Sequence, residues 1–253
     1  MKISATIITL NEVRNIERCI RSLEGVADEI IVLDSLSTDR TKEICLEQNV
    51  RFEERKWEGY SESKNYLNAL ASHDYILSLD ADEALSEELR SSILKLKEEN
   101  DLHDVYQVNR LTNYCGKWIY HSGWYPDWKV RLFPKVGSKW DGAIVHEELI
   151  FPENCRVISL DGHLEHYSYY SFDGHRVRAD KYSELTAQKM SQNGKKASFL
   201  KPYLSALGRI ISMYLIKGGI RDGRMGWKIA IISAKSNIYK YKELRRLNRL
   251  KHG

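Results

Sequence analysis

The chain has 253 residues, 42% of them hydrophobic and 29% charged, with a formal net charge of +4. That length suits one large domain or a domain with an appendage, and the composition excludes a disordered chain. Four scattered cysteines without a CxxC pair fit reduced thiols in a cytosol better than a disulfide framework or a zinc site, and no run of ~20 apolar residues offers a spanning helix.

MKISATIITLNE carries too short an apolar run for a secretory leader. Ile3–Leu10 is β-branched and apolar and reads as a buried strand. Val13, Ile16, Cys19, Ile20 and Leu23 then share a helical face, with Asn11 placed to cap it. Glu29–Asp34 is a second strand, and Thr38 or Asp39 opens a helix to about Gln48. Arg51–Arg55 is a weak third strand, followed by a helix over Tyr60–Ala71. Asp74–Asp82 is a fourth strand, and Ser86 caps a charged helix ending near Asn100. This rhythm predicts an α/β fold: a mainly parallel twisted sheet with helices on its faces.

After Asp101 the rhythm changes. Val105–Leu111 and Trp128–Phe133 read as strands separated by an aromatic-rich loop, and shorter strand-like pieces recur near Ile144, Val157 and Leu164. From Ser171 onward every segment reads as helix. The expected organisation is a catalytic-type domain over residues 1–170 and a helical, basic appendage over 171–253. Lys201–Gly253 carries 13 Lys and Arg against Asp222 and Glu243, so the preceding body is acidic.

In a doubly wound sheet, ligands bind beyond the carboxyl ends of the strands. Three strands end there in polar groups: Thr9-Leu10-Asn11-Glu12, Asp34-Ser35 and Asp80-Ala81-Asp82. Residues i and i+2 of an extended chain point the same way, so Asp80 and Asp82 could jointly hold Mg²⁺ or Mn²⁺. The plainer alternative gives Asp82 and Glu83 to the dipole of the following helix, and makes Asp34 a turn-starting residue. Neither GxxxxGK[ST] nor a GxGxxG after the first strand is present, which disfavours a P-loop kinase and a dinucleotide dehydrogenase. Phosphate charge would then fall to a metal and to basic side chains.

TIITLNE, VLDSLSTDRT and SESKNYLNALASHDYILSLDADE resemble, in order and spacing, the nucleotide-sugar half of family 2 glycosyltransferases with the GT-A fold. HSGWYPDWKVRLF, WDGAIVHEEL and GHLEHYSY resemble the subgroup that includes lipopolysaccharide core β-glucosyltransferases. Leu36 departs from the pattern, standing where the family often has glycine. The resemblance implies that Thr9, Asn11, Glu12 and Asp34 contact base and ribose, and that Lys64 lies near base or phosphates. It implies that Asp80, Ala81 and Asp82 flank metal and sugar diphosphate, with His166 as a late metal ligand or else a structural histidine. Inverting transfer from a nucleoside-diphosphate sugar, a UDP-sugar being expected, to a glycan or glycolipid acceptor follows by the same resemblance.

Such a reaction needs a cation beside the departing phosphate, for which Arg131 is the candidate, and a carboxylate base. Glu147 is the first choice and Asp127 the reserve, although Glu147 would equally suit the first turn of a helix. Tyr114, Trp118, Tyr120, Trp124, Tyr125 and Trp128 could stack on sugars or pack beneath the loop. Alternatives of another class are an inactive nucleotide-sugar-binding scaffold and a metal-dependent phosphohydrolase using the aspartates with His163 and His166.

In the tail, Pro202 opens a helix with Leu204, Leu207, Ile210, Ile211, Tyr214 and Leu215 on one side, broken at Gly218-Gly219. An apolar stripe with a basic flank fits an anionic membrane surface, at the cytoplasmic face of the inner membrane, or packing on the domain. An acidic body without a recognition motif speaks against nucleic acid.

Overall fold

Alternation along the first strand sets the layers. In β1 (Ile3–Thr9), Ile3, Ala5 and Ile7 enter one hydrophobic cluster, shared with Ile16 and Ile20 of α1 (Ile16–Ser22) and with Leu89 and Ile93 of α4 (Glu87–Glu98). The opposite face of the sheet carries Ile31 and Leu33 of β2 (Glu29–Asp34), Ile76 of β4 (Tyr75–Asp80) and Phe133 of β8 (Trp128–Pro134). These cluster with Leu67 of α3 (Tyr60–Leu70) and with Trp140. Period-two side-chain placement thus puts helices on both faces. The computed structural model describes residues 1–98, 104–142 and 148–251.

The central sheet runs β3 (Arg51–Glu54), β2, β1, β4, β8, β6 (Val105–Tyr114), β11 (Val157–Tyr169) and β5 (Glu83–Leu85). The four strands from β3 to β4 are mutually parallel. From β8 onward the pairing is antiparallel, as in β4 with β8, β8 with β6 and β11 with β5. The change of sequence rhythm after Asp101 is therefore a change of strand direction. β7 (Lys117–Trp118) pairs with the end of β6, while β9 (Lys139–Asp141) and β10 (Glu148–Ile150) form a separate ribbon.

Local chemistry explains the helix starts. Ser86 accepts from the amide of Leu89 through Oγ at 3.2 Å, the expected N-cap of α4. Asn11 does not cap α1; it sits at φ +55° and its Oδ1 accepts from the amide of Thr38 at 2.8 Å, stapling two strand-end loops. Asp39 accepts from Thr41 N and Oγ1 at 3.0 and 2.5 Å at the entrance to α2 (Thr41–Glu47).

Contacts divide the chain into two compact units, Met1–Arg110 with Asp127–Tyr167, and Leu111–Pro126 with Ser168–Gly253. Compared with a cut at residue 170, Leu111–Pro126 joins the later segment and the boundary falls after Tyr167. Inside that second unit, Asp222 accepts from Ser122 Oγ at 2.9 Å and from the amide of Tyr120 at 3.2 Å, and pairs with His121 Nδ1 at 3.0 Å. Three consecutive residues of the aromatic loop are thereby tied to one carboxylate. The unit's helices are α5 (Phe172–Gln192), α6 (Lys201–Ile210) and α7 (Gly223–Leu250), with α7 packed against both others. A π-helical turn (Ile211–Ile216) and a 3₁₀ turn (Gly219–Asp222) link α6 to α7. Among the described residues no helix is long and apolar enough to cross a membrane.

Candidate active site

Asp80 closes β4, and Asp82 lies in the two-residue turn before β5. Because β5 pairs with β11 in a register that sets Glu83 opposite His166, the imidazole arrives beside Asp82, with Nε2 3.3 Å from Oδ2. A histidine more than 80 residues downstream thus joins the strand-end acids. His163 is three residues from His166 on the same strand, and alternation turns the two to opposite faces, so they do not form a shared metal pair.

Cations occupy the space between the acids. Arg131 on β8 donates from Nη2 to Asp80 Oδ2 at 3.2 Å and to Glu83 Oε1 at 2.7 Å, and from Nε to Glu83 Oε2 at 3.1 Å. Lys64 on α3 is 1% exposed, with Nζ 3.3 Å from Asp80 Oδ1 and 4.6 Å from the centre of the Trp140 ring. Burial pushes the Asp80 carboxyl up, but Lys64, Arg131, Arg110 and His166 outweigh it and hold the group well below the usual carboxylate range. Asp80 is an anion at any physiological pH. Its Oδ1 accepts no hydrogen bond.

Glu83 and Arg110 belong to this cluster and were not expected in it. Glu83 is 1% exposed; Arg110 Nη1 lies 3.4 Å from its Oε1, and Arg110 also donates from Nη2 to Asp127 at 2.7 Å. The signals available were a third acid in DADE and an arginine inside an otherwise apolar strand. Arg131, 5% exposed, is engaged with both Asp80 and Glu83.

The other predicted residues line the same carboxyl-end edge. Thr9 pairs in register with Asp34 across β1 and β2. Thr9 Oγ1 is buried and makes no hydrogen bond. Asp34, fully buried, accepts from Ser37 N at 2.7 Å and Ser37 Oγ at 2.5 Å, a turn-closing arrangement. Between them Leu36 holds φ +65°, the left-handed region that glycine adopts without strain. Glu12 receives Asn15 Nδ2 at 2.7 Å, and its amide donates to Thr41 Oγ1 at 2.9 Å. Ala81 is buried, and its amide donates to the carbonyl of Ile8 at 3.2 Å, tying the acid turn to β1.

Of the two base candidates, Glu147 lies outside the described residues. Asp127 pairs with Arg110 and, at 3.0 Å, with Lys129; these cations hold its carboxyl below the usual range against the upward push of burial. The aromatic residues separate into two kinds. Tyr114 is fully buried in the core, and Trp124, half-buried, packs against that cluster and stacks on Tyr169 at 5.3 Å. Tyr120 and Trp128 are exposed.

The acid-tipped α/β edge, with unglycinated loops and buried cations, has the residue types of a nucleotide-sugar site. Residues 4–151, more than half the chain, match the family model for glycosyl transferase family 2. The chain belongs to that family and has its GT-A fold, and it is a glycosyltransferase. It is 29% identical, over 98% of its length and 87% of the relative's, to an uncharacterized glycosyltransferase of Rickettsia bellii. It is 28% identical, over 92% and 88%, to the lipopolysaccharide core biosynthesis glycosyltransferase LpsC of Rhizobium meliloti. Among solved structures it is similar to glucosyl-3-phosphoglycerate synthase of Mycobacterium tuberculosis, crystallised with Mn²⁺, UDP and glucosyl-3-phosphoglycerate, at 23% identity and TM-score 0.37. That similarity covers 46% of this chain and 44% of the synthase, so the chain matches less than half the length of that structure.

Proposed function

We propose that the protein is an inverting, metal-dependent hexosyltransferase that moves a sugar from a nucleoside-diphosphate donor, a UDP-sugar, to a glycan or glycolipid acceptor of the lipopolysaccharide core type. The carrying observation is the placement of Asp80 and Asp82 at one strand end, with Asp80 ion-paired to Lys64 and Arg131 and His166 Nε2 3.3 Å from Asp82 Oδ2. Hard carboxylate oxygens with one imidazole are a donor set for Mg²⁺ or Mn²⁺. Among the described residues no group of three or more His, Cys, Asp or Glu side chains is placed to hold a metal ion by itself. Asp80 and Asp82 are the residues that would hold such an ion. When bound, it would supply charge neutralisation at the diphosphate.

This chain's residues have the remaining tasks. Thr9 Oγ1, with its unused hydrogen-bonding capacity, and Asn11, Glu12 and Asp34 would receive the nucleoside, and Lys64 would add positive charge near the phosphates. Arg131 and Glu83 would keep the Asp80 carboxylate aimed. Glu147 would take the acceptor hydroxyl's proton as that oxygen attacks the anomeric carbon and the bond to the diphosphate breaks, inverting the configuration. Asp127 is the weaker base, because two cations already stabilise its anion and a useful base has a pKa near working pH. A lipid-linked acceptor would bring the enzyme to the cytoplasmic face of the inner membrane.

A thermal-shift screen of nucleoside-diphosphate sugars with and without Mn²⁺ tests the reading. One donor should stabilise the protein in a metal-dependent way, and Asp82→Ala should abolish the effect. Glu147→Gln should retain donor binding and lose transfer, whereas Asp127→Asn should keep measurable transfer. Release of phosphate from simple phosphoesters would favour the phosphohydrolase, and donor binding without any transfer would favour the scaffold.

A further inference from the structure

Helix α6 and the turn after it are built with their large apolar side chains outward. The buried residues of α6 are Pro202 and Ala206, while Leu204 and Leu207 are 64% and 56% exposed. In the π-helical turn Met213 is buried, but Leu215 and Ile216 are 58% and 78% exposed. Leu200, Leu204, Leu207 and Ile211 follow one another at steps of four, three and four, which places them on one side of a helix. The small-residue side packs on α7 and the leucine side does not. A soluble monomer seldom leaves so continuous an apolar stripe in water.

Charge identifies the occupant. Residues 195–228 contain eight Lys and Arg, all exposed, and one acid, Asp222. The Asp222 side chain is 4% exposed and bound by His121 and Ser122, so the solvent-facing charge of this segment is uniformly positive. Two copies docked through this face would oppose like charges.

We infer that this face docks on an anionic bilayer, with Leu200, Leu204, Leu207, Ile211, Leu215 and Ile216 entering the boundary between headgroups and acyl chains and the basic rim meeting lipid phosphates. A helix with such a stripe and rim lies in the plane of the interface. No described helix is long and apolar enough to span instead. The inference deepens the membrane placement proposed above by naming the surface, and it rests on exposure and charge rather than on the sugar chemistry.

The test is co-sedimentation of the full chain with phosphatidylcholine vesicles with and without phosphatidylglycerol, at low and high salt. Binding should require the anionic lipid and weaken with salt. Leu204→Glu/Leu207→Glu should reduce it roughly a hundredfold, and Lys196→Ser/Arg221→Ser roughly tenfold. Both double variants replace exposed side chains and should keep the wild-type melting temperature and circular dichroism. Equal pelleting with both lipids, no pelleting with either, or a dimer dissociated by Leu204→Glu/Leu207→Glu would overturn the assignment. Failure of the sugar-transfer reading appears separately, as absence of any donor-induced thermal shift in the wild type.

Discussion

Replacing Glu83 with glutamine probes the charge lattice behind the acid pair. The Glu83 side chain is fully buried and accepts from Arg131 at 2.7 and 3.1 Å, from Arg110 at 3.4 Å and from the amide of Asp80 at 3.1 Å. Removing one partner of a buried pair costs about 3–5 kcal/mol, because the remaining charge stays desolvated. Here each arginine keeps a second carboxylate, Asp80 for Arg131 and Asp127 for Arg110, so about 3 kcal/mol is expected. In a protein of this size that lowers the melting temperature by roughly 6–12 °C. Urea unfolding monitored by fluorescence and calorimetry gives the value. Pairing Glu83→Leu with Arg131→Met should recover part of the loss, since no guanidinium then lacks its carboxylate at Arg131. A loss under about 0.5 kcal/mol for Glu83→Gln, the range of ordinary surface substitutions, would refute the claim that these ion pairs hold the cluster.

Leu36, 52% exposed at φ +65°, should gain stability on replacement by glycine, by about 1 kcal/mol in urea unfolding, because an L side chain is strained there. Gly162, at φ +94°, lies so close to α4 that a Cβ would sit 2.3 Å from the backbone nitrogen of Leu89; Gly162→Ala should cost at least roughly 3 kcal/mol or abolish soluble expression. His175 is 5% exposed and bonded to the Tyr114 hydroxyl at 2.8 Å, and burial with the nearby Arg178 lowers its pKa to about 4. The unfolded chain therefore takes up the proton first: its contribution is whole above about pH 6.5 and is lost as pH falls toward 4, about 2 kcal/mol by pH 5. The melting temperature of the wild type should fall more steeply than that of His175→Phe as pH drops across that window, and equal pH dependence of the two would refute the assignment.

Much of the fold and the outline of the site were legible in the sequence because both depend on local patterning. β-Branched runs, the Ser86 cap and the helix at Pro202 are choices made within a few residues, and the loss of alternating strand–helix rhythm marked where the sheet turns antiparallel. The acids at the ends of β1, β2 and β4 could be named because a strand followed by a polar turn puts them at one edge of a parallel sheet. The meaning of Leu36 needed the backbone dihedral, which an exposed leucine between Ser35 and Ser37 does not reveal.

By itself the sequence determined which groups carry charge at the strand ends and which helix in the tail has an apolar stripe. The tertiary structure decided what those groups meet. Antiparallel pairing of β5 with β11 brought His166 to Asp82, burial joined Arg131 and Arg110 through Glu83, and packing on α7 took the small side of α6 and left its leucines outward. Such partnerships arise from register and burial between segments far apart in the chain, and these are properties of the packed sheet and helices rather than of any local window of residues.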